Sequence, residues 1–244
     1  MKQEYSKYTS EDFKVWKMLF SRQMENLKSK SCKEYLESLT LMTAVLNENE
    51  IPKFDALNQL LHKTSGWSIE VVPGMIPVQD FFELLAQKKF CSSTWLRSLK
   101  QLDYLEEPDM FHDIFGHIPL FMNQEYANFA QKLGVLGAEN KGNSKLITQL
   151  QRIYWFTIEF GLVKEDSTKI FGAGIISSFG ESNFVYSKKP EIKPFNLEEI
   201  INTDFCNSEI QTQYFELKNL KELYLQFDAF AEEVKKQHAI TMAS

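Results

Sequence analysis

The sequence predicts a mainly α fold with minor β structure, built as a single domain. Three observations carry this. Apolar residues recur at helical spacing over most of the chain, runs with strand character are few and short, and no linker rich in Gly, Ser or Pro divides it. The length of 244 residues suffices to bury a sizeable core.

The elements follow in order. Ser10 precedes Glu11 and Asp12 and reads as the cap of a first helix, in which Phe13, Trp16, Phe20, Met24 and Leu27 recur at helical spacing. A second helix is expected from Cys32 to about Leu46, and a third from Phe54 to Lys63, ended by Gly66. Trp67 to Val72 has strand character. The Pro73-Gly74 turn and Pro77 then suit the start of a helix through Phe82 and Leu85. Helices are expected from about Gln124 to Leu133 and again after Asn143 and Ser144. The second of these carries Leu146, Leu150, Ile153, Thr157 and Phe160 on one stripe. The Gly-rich run Phe171 to Phe179 reads as β-like, Asn183 to Ser187 and Gln211 to Glu216 as short strands, and Leu220 to about Lys236 as the last helix.

Composition excludes several functions. Hydrophobic residues at 43% and charged residues at 25% match a soluble globular chain, and a net charge of −6 disfavours nucleic acid phosphates. No basic run is longer than the Lys188-Lys189 and Lys235-Lys236 pairs, which read as solvated faces. Cys32, Cys91 and Cys206 lie far apart without a CxxC pair, as expected of thiols in a reducing cytosol. The polar N-terminus lacks the apolar core of a signal peptide, and no apolar run approaches membrane-spanning length. The expectation is a cytoplasmic protein with small-molecule partners, acting on neither nucleic acid nor membrane.

Two of the four histidines fall within one short segment, Glu107-Pro-Asp-Met-Phe-His112-Asp113-Ile-Phe-Gly116-His117-Ile-Pro119. Zinc peptidases place paired histidines four apart on one helix face. Here the gap is five, which on an ideal helix separates them by about 140°. They converge on one ion only if the helix ends or tightens between them. Gly116 permits such a break, and Pro119 is expected to stop the helix soon after. Asp113 stands where a peptidase would have its Glu base, which argues against that reading.

Two neutral imidazoles need a third ligand, and one carboxylate would complete a facial triad suited to Fe(II). Glu159 stands out because it lies in the apolar helical run Tyr154-Trp-Phe-Thr-Ile-Glu159-Phe160-Gly-Leu, where burial is costly unless the charge is paired or bound to metal. The pattern alone is equally compatible with an exposed glutamate on an amphipathic helix.

EPDMFHDIFGHIPL, IYWFTIEFGL and FGAGIISSFGE occur in that order. Together they resemble the catalytic core of the aromatic amino acid hydroxylases, most closely the short bacterial phenylalanine hydroxylases, over nearly the whole chain. The resemblance implies that family's single-domain catalytic fold and conversion of L-phenylalanine to L-tyrosine with dioxygen, Fe(II) and a tetrahydropterin. Tryptophan or tyrosine is the alternative substrate within the family, and a zinc hydrolase or a helical interaction protein the alternative outside it.

The resemblance also assigns residues. His112, His117 and Glu159 match the iron ligands. Arg97 matches an arginine that pairs with the substrate carboxylate, for which its planar fork is suited. Ser177 matches a serine near the substrate and the ligand shell, and Trp155 and Phe160 match aromatic pocket walls. Gly74, Met75, Ile76 and Phe81 match the pterin-holding segment, and Asp113 and Tyr154 match residues bordering pterin and iron. Two positions depart from the animal members: Leu105 replaces a threonine that contacts substrate, and Asp113 replaces a glutamate. The animal members add a regulatory domain and a tetramerisation helix. Here one catalytic domain over 1–244, with a short arm at about 1–8, is expected to be monomeric.

Overall fold

The computed structural model describes residues 1–103, 105, 107–207 and 209–243, with side chains through Gln237. The first helix, α1 (Ser10–Leu27), is capped by Thr9, one residue earlier than the sequence suggested. Thr9 and Asp12 exchange side-chain and backbone hydrogen bonds in a capping box. The buried stripe is Val15, Trp16, Leu19, Phe20, Gln23 and Leu27, so Phe13 lies at its edge, partly exposed.

Helix α2 (Lys33–Leu41) stops short of Leu46. There the Thr40 and Thr43 hydroxyls donate to the carbonyls of Leu36 and Thr40, and the chain turns instead of continuing. After α3 (Phe54–Thr64), Gly66 takes the left-handed conformation at φ 79°. β1 (Ser68–Val71), α4 (Val78–Ala86) and β2 (Lys89–Ser92) then form a β-α-β unit, Ser68 pairing with Lys89 and Val71 with Ser92 in parallel. Gly74, Met75 and Ile76 lie in the turn that leaves β1.

Helices α5 (Gln124–Glu139) and α6 (Ser144–Tyr154) begin at Asn123 and Asn143, whose side chains accept from the first-turn amides. α5 runs six residues past the expected end. Beyond α6 come β3 (Leu162–Lys164) and β4 (Thr168–Ile170), then α7 (Ala173–Ser177) and α8 (Phe179–Phe184). Within the run FGAGIISSF, Ala173 to Ser177 are therefore helical, not β-like, and Asn183 to Ser187 is the end of α8 and a turn. The β-branched Ile175 and Ile176 favour strands locally. Tertiary packing prevails, since Ala173 to Ser177 are all buried. β5 (Glu191–Pro194), α9 (Leu197–Ile200), β6 (Gln213–Leu217) and α10 (Leu220–Ala243) complete the chain. The second sheet has the order β4-β3-β6-β5, with β3–β4 antiparallel and the other pairs parallel.

One apolar cluster spans these elements, including Trp16, Phe111, Phe115, Phe121, Phe156 and Phe215. Stacked Phe111 and Phe115, with ring centroids 4.7 Å apart, anchor the segment that carries both candidate histidines to α1 through Trp16 and Phe20.

Candidate metal centre and its pocket

The helix between the two histidines neither ends nor tightens. It widens: His112–His117 is a π-helical turn, in which residues five apart come one turn apart on the same side. The Nε2 atoms of His112 and His117 stand 3.1 Å apart. Gly116 is needed for close approach, since a Cβ there would sit 2.9 Å from the Ala173 carbonyl oxygen of α7. The Tyr35 hydroxyl, fully buried, donates to the Phe115 carbonyl at 2.7 Å and so satisfies an acceptor within the turn. Pro119 does not stop the path, because it lies in the first turn of a 3₁₀ segment (Ile118–Met122), where its missing N–H costs nothing.

A second π-helical turn, Trp155–Glu159, interrupts the long helix expected through Phe160, with the Phe160 N–H reaching back five residues to the Trp155 carbonyl. This delivers Glu159 to the histidines. Its Oε1 is 3.4 Å from His112 Nε2 and its Oε2 is 3.1 Å from His117 Nε2. One ligand atom from each residue lies within 4.8 Å of the others.

The charge balance tests whether a metal ion fits. Burial pushes His112 down to about 4, so its imidazole is neutral at neutral pH. Burial also raises the Glu159 carboxyl, but the two histidines outweigh this and hold it below the usual carboxylate range. A buried carboxylate whose ion-pair partners among the described residues are two imidazoles lacks a permanent counter-charge. Two neutral nitrogens and one carboxylate oxygen around one point suit a divalent cation, and they form the two-histidine-one-carboxylate set. With Nε2 kept as the lone pair, His112 Nδ1 carries the hydrogen and donates to Ser177 Oγ at 2.9 Å, which fixes the ring. His117, 1% exposed, is held by packing, its ring 4.5 Å from Phe90 and 6.2 Å from Tyr154.

Arg97 is buried and already paired. Its Nε and Nη2 each donate to Asp109 at 2.9 Å, and its backbone N–H donates to the same carboxylate, leaving Nη1 at 3.5 Å from the Leu102 carbonyl. Asp109 also accepts the His112 backbone N–H at 3.1 Å, so one carboxylate joins the arginine to the histidine segment. Burial raises the Asp109 carboxyl and Arg97 more than offsets it, keeping it ionised. Asp109 was not singled out from the sequence, although it sits in the EPDMFH motif three residues before His112.

The aromatic residues expected as pocket walls lie close to this centre. Trp155 and Phe160 lie 4.6 Å apart, and the Phe160 ring borders Gly174 beside the Glu159 carboxylate. Phe81 meets Tyr154 edge-on at 5.0 Å, and Tyr154 in turn faces His117. Asp113, pushed up to about 8 by burial, accepts the Ser93 N–H at 2.9 Å. Gly74, Met75 and Ile76 are more open, with Met75 68% exposed, and they lead into α4, which carries Phe81.

A helical fold that presents this triad beside a cluster of aromatic side chains is the arrangement of a mononuclear non-haem metal enzyme. The family model for biopterin-dependent aromatic amino acid hydroxylases matches residues 3–244, and the chain belongs to that family. It is 40% identical to a phenylalanine-4-hydroxylase of Pseudomonas aeruginosa, over 89% of this chain and 82% of that protein. It is likewise 40% identical to one of Chromobacterium violaceum, over 94% of this chain and 76% of that protein. The crystal structure of the Chromobacterium violaceum phenylalanine hydroxylase with iron(III) and 7,8-dihydrobiopterin superposes at a TM-score of 0.89 and 38% identity, covering 95% of this chain and 84% of that one.

Proposed function

We propose that this chain hydroxylates L-phenylalanine to L-tyrosine with dioxygen and a tetrahydropterin, at an Fe(II) site held by His112, His117 and Glu159. The observation that carries the reading is the convergence of these three donors, with a charge balance that calls for a cation, in a chain that is 40% identical to phenylalanine-4-hydroxylases. When bound, the iron and the pterin supply the electrons that let dioxygen react with an aromatic ring.

The chain's own residues position the reactants. Arg97 presents Nη1 to the substrate carboxylate, while one N–H on each of Nε and Nη2 is held by Asp109, so the fork is pre-oriented before substrate arrives. Trp155 and Phe160 hold the aromatic ring and exclude water, and Ser177 orients His112 beside it. Backbone groups of Gly74, Met75 and Ile76 meet the polar edge of the pterin, and Phe81 offers it a ring. Asp113 and Tyr154 border pterin and metal.

Arg97→Ala is expected to raise KM for the amino acid by about a hundredfold and KM for the pterin far less. It also leaves Asp109 buried without its partner, so stability should fall by about 3–5 kcal/mol. Steady-state kinetics and a denaturant titration read both effects. Wild-type constants would place Arg97 outside the substrate site.

Substrate choice follows from the apolar walls and the relatives. Phenylalanine is expected to have the highest kcat/KM in a competition assay with all three aromatic amino acids at saturating pterin and oxygen. Faster formation of 5-hydroxytryptophan or DOPA would overturn the substrate assignment and leave the hydroxylase assignment standing. An apolar pocket rejects the tyrosine hydroxyl only modestly, so that margin should be the smaller one.

The proposal extends to one catalytic domain, supported by a family match over 3–244 and one apolar cluster, and to a cytoplasmic monomer. Among the described residues no helix is long and apolar enough to cross a membrane. Light scattering at micromolar concentration should give the mass of one chain, and a stable tetramer would refute the monomer.

A further inference from the structure

A buried polar chain outside the metal centre ends on the pocket wall. The Trp155 indole N–H donates to Gln211 Oε1 at 3.0 Å. Gln211 Nε2 donates to the carbonyls of Cys206 and Glu209, at 2.7 and 3.3 Å, in the connection from α9 to β6. The Gln211 backbone N–H donates to Glu181 Oε1 at 3.2 Å, and Glu181 Oε2 accepts from the Tyr214 hydroxyl at 2.6 Å. Gln211, Glu181 and Tyr214 are all buried. From the same connection Phe205 stacks on the indole at 4.4 Å and 18°, while Phe160 lies against it at 4.6 Å.

The chemistry of these partners fixes the amide. Indole N–H is only a donor and the two carbonyls are only acceptors, so Gln211 must point Oε1 at Trp155 and Nε2 at the connection. Both ends are used. Glutamate at this position would keep the acceptor for the indole but turn a second carboxylate oxygen toward two carbonyl oxygens. Leucine would keep the bulk and lose every side-chain bond.

We propose that Gln211 is a positioning residue that determines ring selection. It holds the Trp155 indole in one orientation between Phe205 and Phe160, and so sets the width of the slot in which the substrate ring lies. This rests on the reading above that Trp155 and Phe160 wall the substrate pocket. The indole hydrogen bond is the coupling element, and a segment some fifty residues beyond Trp155 thereby controls the fit of the substrate.

The test is a double-mutant cycle on the iron-loaded enzyme with Gln211→Leu and Trp155→Phe, reading KM, kcat and, by calorimetry, the Kd for phenylalanine. Gln211→Leu is expected to raise KM and Kd for phenylalanine about tenfold. It should change kcat by no more than about twofold, leave the pterin KM unmoved, and reduce the preference for phenylalanine over tryptophan. Trp155→Phe, which removes the same bond from its other end, should weaken phenylalanine binding as well, and Gln211→Leu should add little on that background. Gln211→Glu should not restore wild-type binding, because the connection is repelled. Wild-type KM and selectivity in Gln211→Leu, or effects of the two substitutions that multiply in full, would overturn the proposal. If Gln211→Leu does not fold, Trp155→Phe alone decides: unchanged Kd and selectivity would overturn it. Failure of the wild-type enzyme to bind and hydroxylate phenylalanine is a separate result. It would refute the substrate reading, and the cycle would then be run on whichever aromatic amino acid the enzyme hydroxylates, with the same criteria.

Discussion

Alanine at His112, His117 or Glu159 is expected to reduce hydroxylation more than about a hundredfold and to strip the protein of iron on dialysis against a mild chelator. Each residue supplies one donor to a set whose atoms lie within 4.8 Å. Losing Glu159 also removes the carboxylate that balances the cation. Glu159→Gln isolates that contribution, because it keeps the shape and one oxygen while removing the charge, and it should lose iron nearly as readily. Metal content by emission spectroscopy, with turnover on the same samples, checks all four variants. Any one that keeps full activity removes that residue from the ligand set.

Gly174→Ala should be nearly as damaging, although position 174 offers no ligand atom. A Cβ there would stand 2.7 Å from Glu159 Oε1, 2.9 Å from Phe160 Cζ and 3.1 Å from the Glu159 carbonyl oxygen. Its φ is not in the left-handed region, so the backbone tolerates alanine and the effect is steric. The methyl group pushes on the Glu159 carboxylate and on the Phe160 ring together. Iron affinity should fall about 10- to 100-fold, and overpacking should cost about 1–3 kcal/mol of stability. Thermal unfolding separates the two effects: a variant that melts cooperatively near wild type yet retains little iron fits the expectation. Full iron occupancy and wild-type kcat would show that the Glu159 side chain has room to move.

Much of the site was legible because the chemistry-bearing residues sit in short, unusual strings. Paired histidines and a carboxylate inside an apolar helix are conspicuous. What was not legible is how the backbone brings them together. A gap of five between His112 and His117 looks wrong for an α-helix, and the sequence reading answered with a break or a tightening. The turn widens instead, and the glycine that seemed to permit a break allows α7 to pack closely. The second π-helical turn was hidden because the stripe from Leu146 to Phe160 fits an uninterrupted helix equally well. In FGAGIISSF the local preference of the isoleucines pointed to a strand, while burial of Ala173 to Ser177 decided for a helix. Asp109 pairs with Arg97 twelve residues away, and Gln211 with Trp155 fifty-six residues away. No local pattern signals such a pairing.

The measurement that tests the account most directly is product analysis on purified protein loaded with Fe(II), supplied with tetrahydropterin, L-phenylalanine and oxygen. Matched samples hold zinc or lack the pterin. The account predicts L-tyrosine formed with consumption of oxygen and pterin in the iron sample, and none in the other two. Tyrosine formation with zinc, or without the pterin, or no hydroxylated product from any aromatic amino acid in the iron-loaded sample, would contradict it.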